Sequence, residues 1–268
     1  MLFRSEIQEI PAARPLAKVP GDLVFEHVTF GYDPEKPVLC DINLRVAHGE
    51  VIAIVGPTGA GKSTLTSLLP RFYDPQQGRI TIDGVDIREL KLDHLRRQIG
   101  MVFQETFLFS DTIAANIAYG DPHADPDRIR RAAAIAQAAE FIDQAEKQYD
   151  TVIGERGVSL SGGQRQRLAI ARAIATDPRI LILDDALAAV DPTTEHEIIA
   201  GLDDVFAGRT VLLIAHRLSS VKRAHRVVVI EHGQITHVGT HDELMAADGH
   251  YKTMAQIQLM HDEDHLVR

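Results

Sequence analysis

The chain has a single cysteine in 268 residues, Cys40. A lone thiol closes no disulfide within the chain, which suits a reducing compartment. No apolar run approaches the roughly 18 residues that span a bilayer, and Met1-Leu2-Phe3-Arg4 leads into no signal-peptide core. The expectation is that this stretch of chain does not itself enter a membrane. Positive charge is in deficit: 28 Lys and Arg stand against 38 Asp and Glu, a formal net charge of −10. That balance argues against a nonspecific nucleic-acid or lipid surface. No internal repeat or long low-complexity segment is present. With 45% apolar residues the chain has enough for a real core, so neither disorder nor a fibrous chain is expected.

Periodicity gives the organisation. Leu23 to Thr29 alternates as a strand; Val51 to Val55 and Ile180 to Leu183 read as buried strands, and Thr210 to Ala215 and Arg226 to Ile230 add two more. Helices between them imply an α/β fold: a sheet with substantial parallel character, flanked by helices, with its ligand at the strand C-termini. From about Glu105 to Ala175 strand signals vanish and Ala-rich helical stretches such as Ile129 to Phe141 take over. Pro11 to Pro20 reads as a linker entering the domain.

Two glycine-rich segments carry the chemistry. Gly56-Pro57-Thr58-Gly59-Ala60-Gly61-Lys62-Ser63 fits G-x-x-x-x-G-K-[ST] between the apolar run Val51 to Val55 and a helix-like stretch, Ser63 to Leu69. Its glycines let successive N–H groups point inward at an anion, and the following helix adds a positive dipole end. Lys62 would reach β- and γ-phosphates and Ser63 would ligate Mg²⁺, so the expected ligand is a nucleoside triphosphate. The second segment is Ser161-Gly162-Gly163-Gln164-Arg165. Ser161 is a good N-cap and Gln164 to Ala175 reads as a helix with Leu168, Ile170, Ala171 and Ile174 on its apolar face. Its start could hold a γ-phosphate, although a capped helix start alone is usually only that; coexistence with the first loop reverses the balance.

Leu160 to Gln164, L-S-G-G-Q, resembles the signature motif of ABC ATPases, and further motifs of that family follow in order from about Asp22 to Met260. Ile180 to Asp184, I-L-I-L-D, resembles Walker B, a buried strand ending in a carboxylate, Asp184, that would hold Mg²⁺ through water. Gln104 resembles the Q-loop glutamine that links the metal site to the membrane partner. His216, in I-A-H-R-L, resembles the switch histidine at the γ-phosphate. Tyr32 lies where exporter-type members carry an aromatic that stacks on adenine; a surface tyrosine is the plainer alternative. Thr64, next to Ser63, is counted with the nucleotide contacts. The resemblance implies a P-loop NTPase fold, an ABC ATPase core sheet with an inserted helical subdomain at about 105–175, within a domain of residues 21–268. It implies ATP and Mg²⁺ as ligands. It also implies a head-to-tail dimer with a second ABC ATPase domain, in which one subunit's phosphate loop faces the other's Ser161 motif.

Gly154-Glu155-Arg156-Gly157 resembles the X-loop of exporters, which contacts the transmembrane part; a solvated charged turn is the plain alternative. Phe107 to Ser110 and Asn116 to Gly120 resemble the exporter segment after the Q-loop. The transmembrane domain of an ABC exporter is thus an expected partner, and the cytoplasmic face of the cell membrane the expected location. Glu6 to Lys18 looks like the linker that follows a last transmembrane helix, so residues 1–20 are expected to be a linker remnant of a longer half-transporter. Leu2-Phe3-Arg4-Ser5 is also what the end of a common sequencing adapter encodes in one frame. An assembly artefact at the start is therefore a further expectation, which resequencing the locus tests.

Two departures from the family pattern bear on mechanism. Asp185 stands where the family has a glutamate that positions the attacking water, and Leu187 to Asp191 replaces the usual T-S-A-L-D, so Ala188 lacks a hydroxyl expected at the dimer interface. A carboxylate retracted by about 1 Å can cost on the order of 100-fold where positioning governs the rate; alternatively the loop shifts and Asp185 works. The combination resembles the degenerate half of a heterodimeric exporter, with a homodimer of two slow sites as the alternative. Outside that class remain a soluble ABC ATPase acting on nucleic acid or ribosomes, which the acidic charge disfavours, and a regulatory ATP-binding module with negligible turnover. His261 and His265, four apart in an acidic tail, read as solvated rather than as a metal site.

Overall fold

The computed structural model describes residues 7–16, 20–154, 160–215, 217–247, 249 and 251–256. The chain forms two compact units, one of residues 1–96 with 210–268 and one of residues 97–209. In chain order the strands are β1 (Leu23–Phe30), β2 (Leu39–Val46), β3 (Val51–Val55), β4 (Gln77–Ile82), β5 (Val85–Asp86), β6 (Ile99–Val102), β7 (Ile180–Asp184), β8 (Thr210–Ile214), β9 (Arg226–Glu231) and β10 (Gln234–Gly239). The helices are α1 (Lys62–Leu68), α2 (Leu92–Arg97), α3 (Ile113–Ile117), α4 (Pro126–Ile135), α5 (Ala139–Asp143), α6 (Gly162–Ala175), α7 (Pro192–Phe206), α8 (Leu218–Val221) and α9 (His241–Ala246).

The first unit holds two kinds of sheet. β3 pairs parallel with β8 and β9, and β10 runs antiparallel to β9. β3 and β8 are buried at every residue, which is why V-I-A-I-V and T-V-L-L-I are continuous apolar runs rather than alternating ones. Ala53 and Val55 pack with Val227, Val229, Leu244 and Tyr251 in one cluster. Of the separate antiparallel sheet, β2-β1-β4-β5, the sequence shows only β1, read over Leu23 to Thr29 and observed to Phe30. β1 and β2 bury one face, yet β1 slips register between Phe25 and Val28 at His27, and β2 carries Asp41, both at left-handed φ near 50°. The extra residues break the period of two. The chain before β1 lies along this unit: Arg14 N–H donates to Glu89 O at 2.7 Å, Arg14 O accepts from Lys91 N–H at 2.9 Å, and Leu16 is buried.

In the second unit β6 and β7 pair in parallel, and α6 packs against α3, α4 and β6. Gly100 permits the close approach of β6 to α6, since a Cβ there would lie 2.7 Å from the Ala173 carbonyl oxygen. The helical stretch expected over Ile129 to Phe141 is two helices, not one. α4 ends where Gln137 takes φ 54°, with Ala138 N–H bonded to Ala133 O at 2.8 Å and Gln137 N–H to Ala134 O at 3.0 Å. This is a Schellman end made without glycine, so no residue type announced it. α6 begins two residues before the expected Gln164 because Ser161 and Gln164 close a capping box.

Candidate functional site

In the first unit the loop between β3 and α1 spans Gly56 to Ser63. β3 fixes its entry, and the backbone turns through Gly56 at φ 148° and Gly61 at φ 101°. At Gly56 the fold admits no side chain: a Cβ would lie 2.0 Å from the Ile230 carbonyl oxygen. Lys62, 7% exposed, folds back so that Nζ donates to Gly56 O at 2.8 Å and Pro57 O at 3.0 Å. A buried ammonium needs acceptors, and an anion seated in the loop would meet the same cation. Pro57, Thr58 and Gly59 form an exposed crest, Ala60 is buried, and Ser63 is exposed in the first turn of α1. Thr64 is buried, with its Oγ1 3.2 Å from the Tyr32 hydroxyl.

Tyr32 thus stands beside the first turn of α1, which follows the Gly56 to Ser63 loop. It is 59% exposed, with its ring edge-to-face against Phe30 and Tyr73 at centroid distances of 5.2 Å each. Gly31, the residue before it, is held by Gln76, which the sequence gave no reason to single out.

The remaining candidates of the second unit are arranged around α6 and the end of β7. Ser161 Oγ accepts from Gln164 N–H at 3.1 Å while Gln164 Oε1 accepts from Ser161 N–H at 2.8 Å, so both side chains close the helix start. Gly162 and Gly163 form its first turn, against Ala189. Asp184 is 5% exposed at the end of β7. Asp185 follows at φ 48°, a left-handed conformation that Asp adopts more readily than most residues. Its carbonyl accepts from Ala188 N–H at 3.2 Å. Asp191 caps α7 through Thr194 N–H at 3.0 Å, and that bond holds its carboxyl below the usual carboxylate range. Gln104 is exposed after β6. His216 and residues 155–159, with Glu155 and Arg156 of the expected X-loop, lie outside the described residues.

Two polar side chains of α6 were not read from the sequence. Gln166, 5% exposed, accepts Ala189 N–H at 2.8 Å and so ties the loop after β7 to the glycine-rich helix start. Arg172 donates to Asn116 O at 2.8 Å, Asn116 Oδ1 at 2.9 Å and Phe107 O at 2.9 Å, beneath the stacked rings of Phe109 and Tyr119. Burial pulls its guanidinium below the ordinary arginine range. A charged residue inside an apolar helix stretch was the available signal.

Within the first unit, the ammonium enclosed by loop carbonyls and the exposed hydroxyl one residue on suit a triphosphate; within the second, the buried carboxylate of Asp184 is of the kind that suits a hard cation.

Comparison with known proteins bears on this site directly. The family model described as ABC transporter matches residues 39–188. The ATP-dependent lipid A-core flippase of Legionella pneumophila strain Paris is 51% identical over 241 residues, 90% of this chain and 41% of that protein. The Beta-(1-->2)glucan export ATP-binding/permease protein NdvA of Nitrobacter winogradskyi is 48% identical over 257 residues, 96% of this chain and 42% of that protein. The solved structure of a bacterial Atm1-family ABC exporter with ATP bound matches with a TM-score of 0.90 at 42% identity, covering 94% of this chain and 44% of that one. The chain spans less than half the length of these relatives.

Proposed function

Since the chain belongs to the ABC transporter family, as the ATPase domain of an exporter-type member, we propose that it binds MgATP and that closure and hydrolysis drive transport through a transmembrane domain. The observation that carries this is the Gly56 to Ser63 loop with the Lys62 ammonium enclosed by its own carbonyls. In this reading Lys62 holds the β- and γ-phosphates, Tyr32 stacks on adenine, Ser63, Gln104 and Asp184 hold Mg²⁺, and His216 contacts the γ-phosphate. The cation would neutralise charge on the phosphate oxygens. Asp185 orients the water that attacks the γ-phosphorus, the β–γ bridging oxygen leaves with ADP, and phosphate is released. Titration calorimetry of the purified chain tests the loop. Wild type is expected to bind MgATP and Lys62→Ala to show no binding; unchanged binding by the variant rejects the assignment.

A finer reading concerns the dimer. We infer that the chain pairs with a second ABC ATPase domain at the cytoplasmic face of a cell membrane, in a heterodimer whose slow site uses this chain's Lys62 and Asp185. The carboxylate of Asp185 is one methylene shorter than the family's glutamate, and a retraction of about 1 Å can lower a positioning-dependent rate on the order of 100-fold. The Ser161 capping box is complete in this chain, which supports its use in the partner's productive site. The exporter names of the relatives support a transmembrane partner over nucleic acid or ribosomes.

A further inference from the structure

The aromatic platform at Tyr32 depends on a residue one strand away. β1 ends at Phe30, and its last ladder partner in β4 is Gln77, opposite Thr29. Beyond that point the backbone of β4 offers Gly31 no partner, and the side chain of Gln76 takes its place. Gly31 N–H donates to Gln76 Oε1 at 2.8 Å, and Gln76 Nε2 donates to Gly31 O at 2.7 Å. The Gln76 backbone N–H is itself fixed to Thr29 O at 3.0 Å. The primary amide therefore extends the ladder by one residue, satisfying both backbone polar groups of the buried Gly31.

On its other side Gly31 is wedged against the turn at Asp33 to Lys36: a Cβ would lie 2.5 Å from Lys36 O and 2.7 Å from Asp33 O. Clamped from both sides, Gly31 leaves the following residue one direction to leave the sheet. Tyr32 emerges beside the first turn of α1, its hydroxyl at Thr64 Oγ1 and its ring braced by Phe30 and Tyr73. Those edge contacts and the hydroxyl bond hold the exposed ring only where the backbone delivers it, and the clamp on Gly31 fixes that point.

We propose that Gln76 is a positioning residue for nucleobase binding: its amide fixes Gly31 so that the Tyr32 ring is preset as the stacking surface for the base. This rests on the assignment of Tyr32 to the base and of the Gly56 loop to the phosphates. Only a side chain with both a donor and an acceptor at this reach makes the clamp. Leu makes neither bond, and Glu accepts from Gly31 N–H but offers its carbonyl no donor.

Calorimetry on the full chain with two probes, MgATP and magnesium tripolyphosphate, tests it. Base–aromatic stacking of this kind corresponds to a loss on the order of tenfold or more in affinity when removed. Expected are a loss of that size in MgATP affinity for Tyr32→Ala, a similar loss for Gln76→Leu, a smaller one for Gln76→Glu, and no added loss in the Tyr32→Ala/Gln76→Leu double variant. Tripolyphosphate affinity should be unchanged in all four. MgATP affinity within twofold of wild type for Gln76→Leu overturns the clamp, as do additive losses in the double variant. A fall in tripolyphosphate affinity for Gln76→Leu overturns it too, by showing a general effect on the fold. Unchanged MgATP affinity for Tyr32→Ala removes the platform, and the clamp with it, while the Lys62→Ala result still judges the loop separately.

Discussion

Gly56 and Gly162 open two glycine-rich segments that look alike in the sequence and are glycine for different reasons. Gly56 turns the chain at φ 148°, and a Cβ there would lie 2.0 Å from the Ile230 carbonyl oxygen. Gly162 has no left-handed φ, and a Cβ would sit 3.4 Å from Ala189 Cβ, an ordinary contact. The fold of the first unit requires its glycine; the fold of the second would accept a side chain. Among the described residues the packing around Gly162 does not demand a glycine, in keeping with the proposal that a ligand or partner meets the start of α6.

That contrast can be broken at several points. The largest expected effect is Gly56→Ala: a left-handed φ and a backbone clash together cost on the order of 3 to 5 kcal/mol. Thermal melts should show a much less stable protein or little folded protein at all, and a near-native melting temperature would remove the distinction. Next comes ATPase activity in the assembled transporter. Gly162→Asp places a charge at the start of α6 and should nearly eliminate turnover, whereas Asp185→Asn acts at the site proposed to be slow and should leave most of it. Comparable, near-complete loss from both would replace the heterodimer with a homodimer. Asp185→Glu in a forced homodimer should raise a low ATPase rate by several-fold. The gain is limited because the longer side chain must sit on a backbone at φ 48°; no gain would mean the aspartate is not the limiting defect. The smallest effect is Gly162→Ala, which should leave the melting temperature level or raise it by about one to two degrees, following the helix preference of Ala over Gly of about 0.5 kcal/mol. A clear fall would show that close packing, not function, holds that position.

Legibility differed by element. β3 was read with its observed bounds, and β7, β8 and β9 to within a residue at their ends, because strands buried on both faces are unbroken apolar runs bounded by polar residues. β2 was missed although Leu39, Ile42, Leu44 and Val46 all turn inward. Asp41, left-handed at φ 51°, inserts one residue into the alternation and hides its period. β10 is largely exposed and has no apolar rhythm to read. The break between α4 and α5 at Gln137 used neither Gly nor Pro. At the candidate site, the residues that belong to contiguous motifs were legible, while Gln76, Gln166 and Arg172 were not. Each of these acts on a partner distant in the chain: Gly31, Ala189 and Asn116.

The sequence by itself determined the family, the buried strands β3, β7, β8 and β9, and the two glycine-rich segments that carry Lys62 and Ser161. Those features are local: a loop of eight residues or a capped helix carries its own chemistry wherever it is placed. Only the tertiary structure decided which glycines the fold demands, that Gln76 completes a ladder for Gly31, and that Arg172 is enclosed by the segment containing Phe107 and Asn116. Such choices depend on which backbone groups are left unpaired and which atoms come within a few ångströms once the chain has folded, and neither is encoded in the spacing of neighbouring residues.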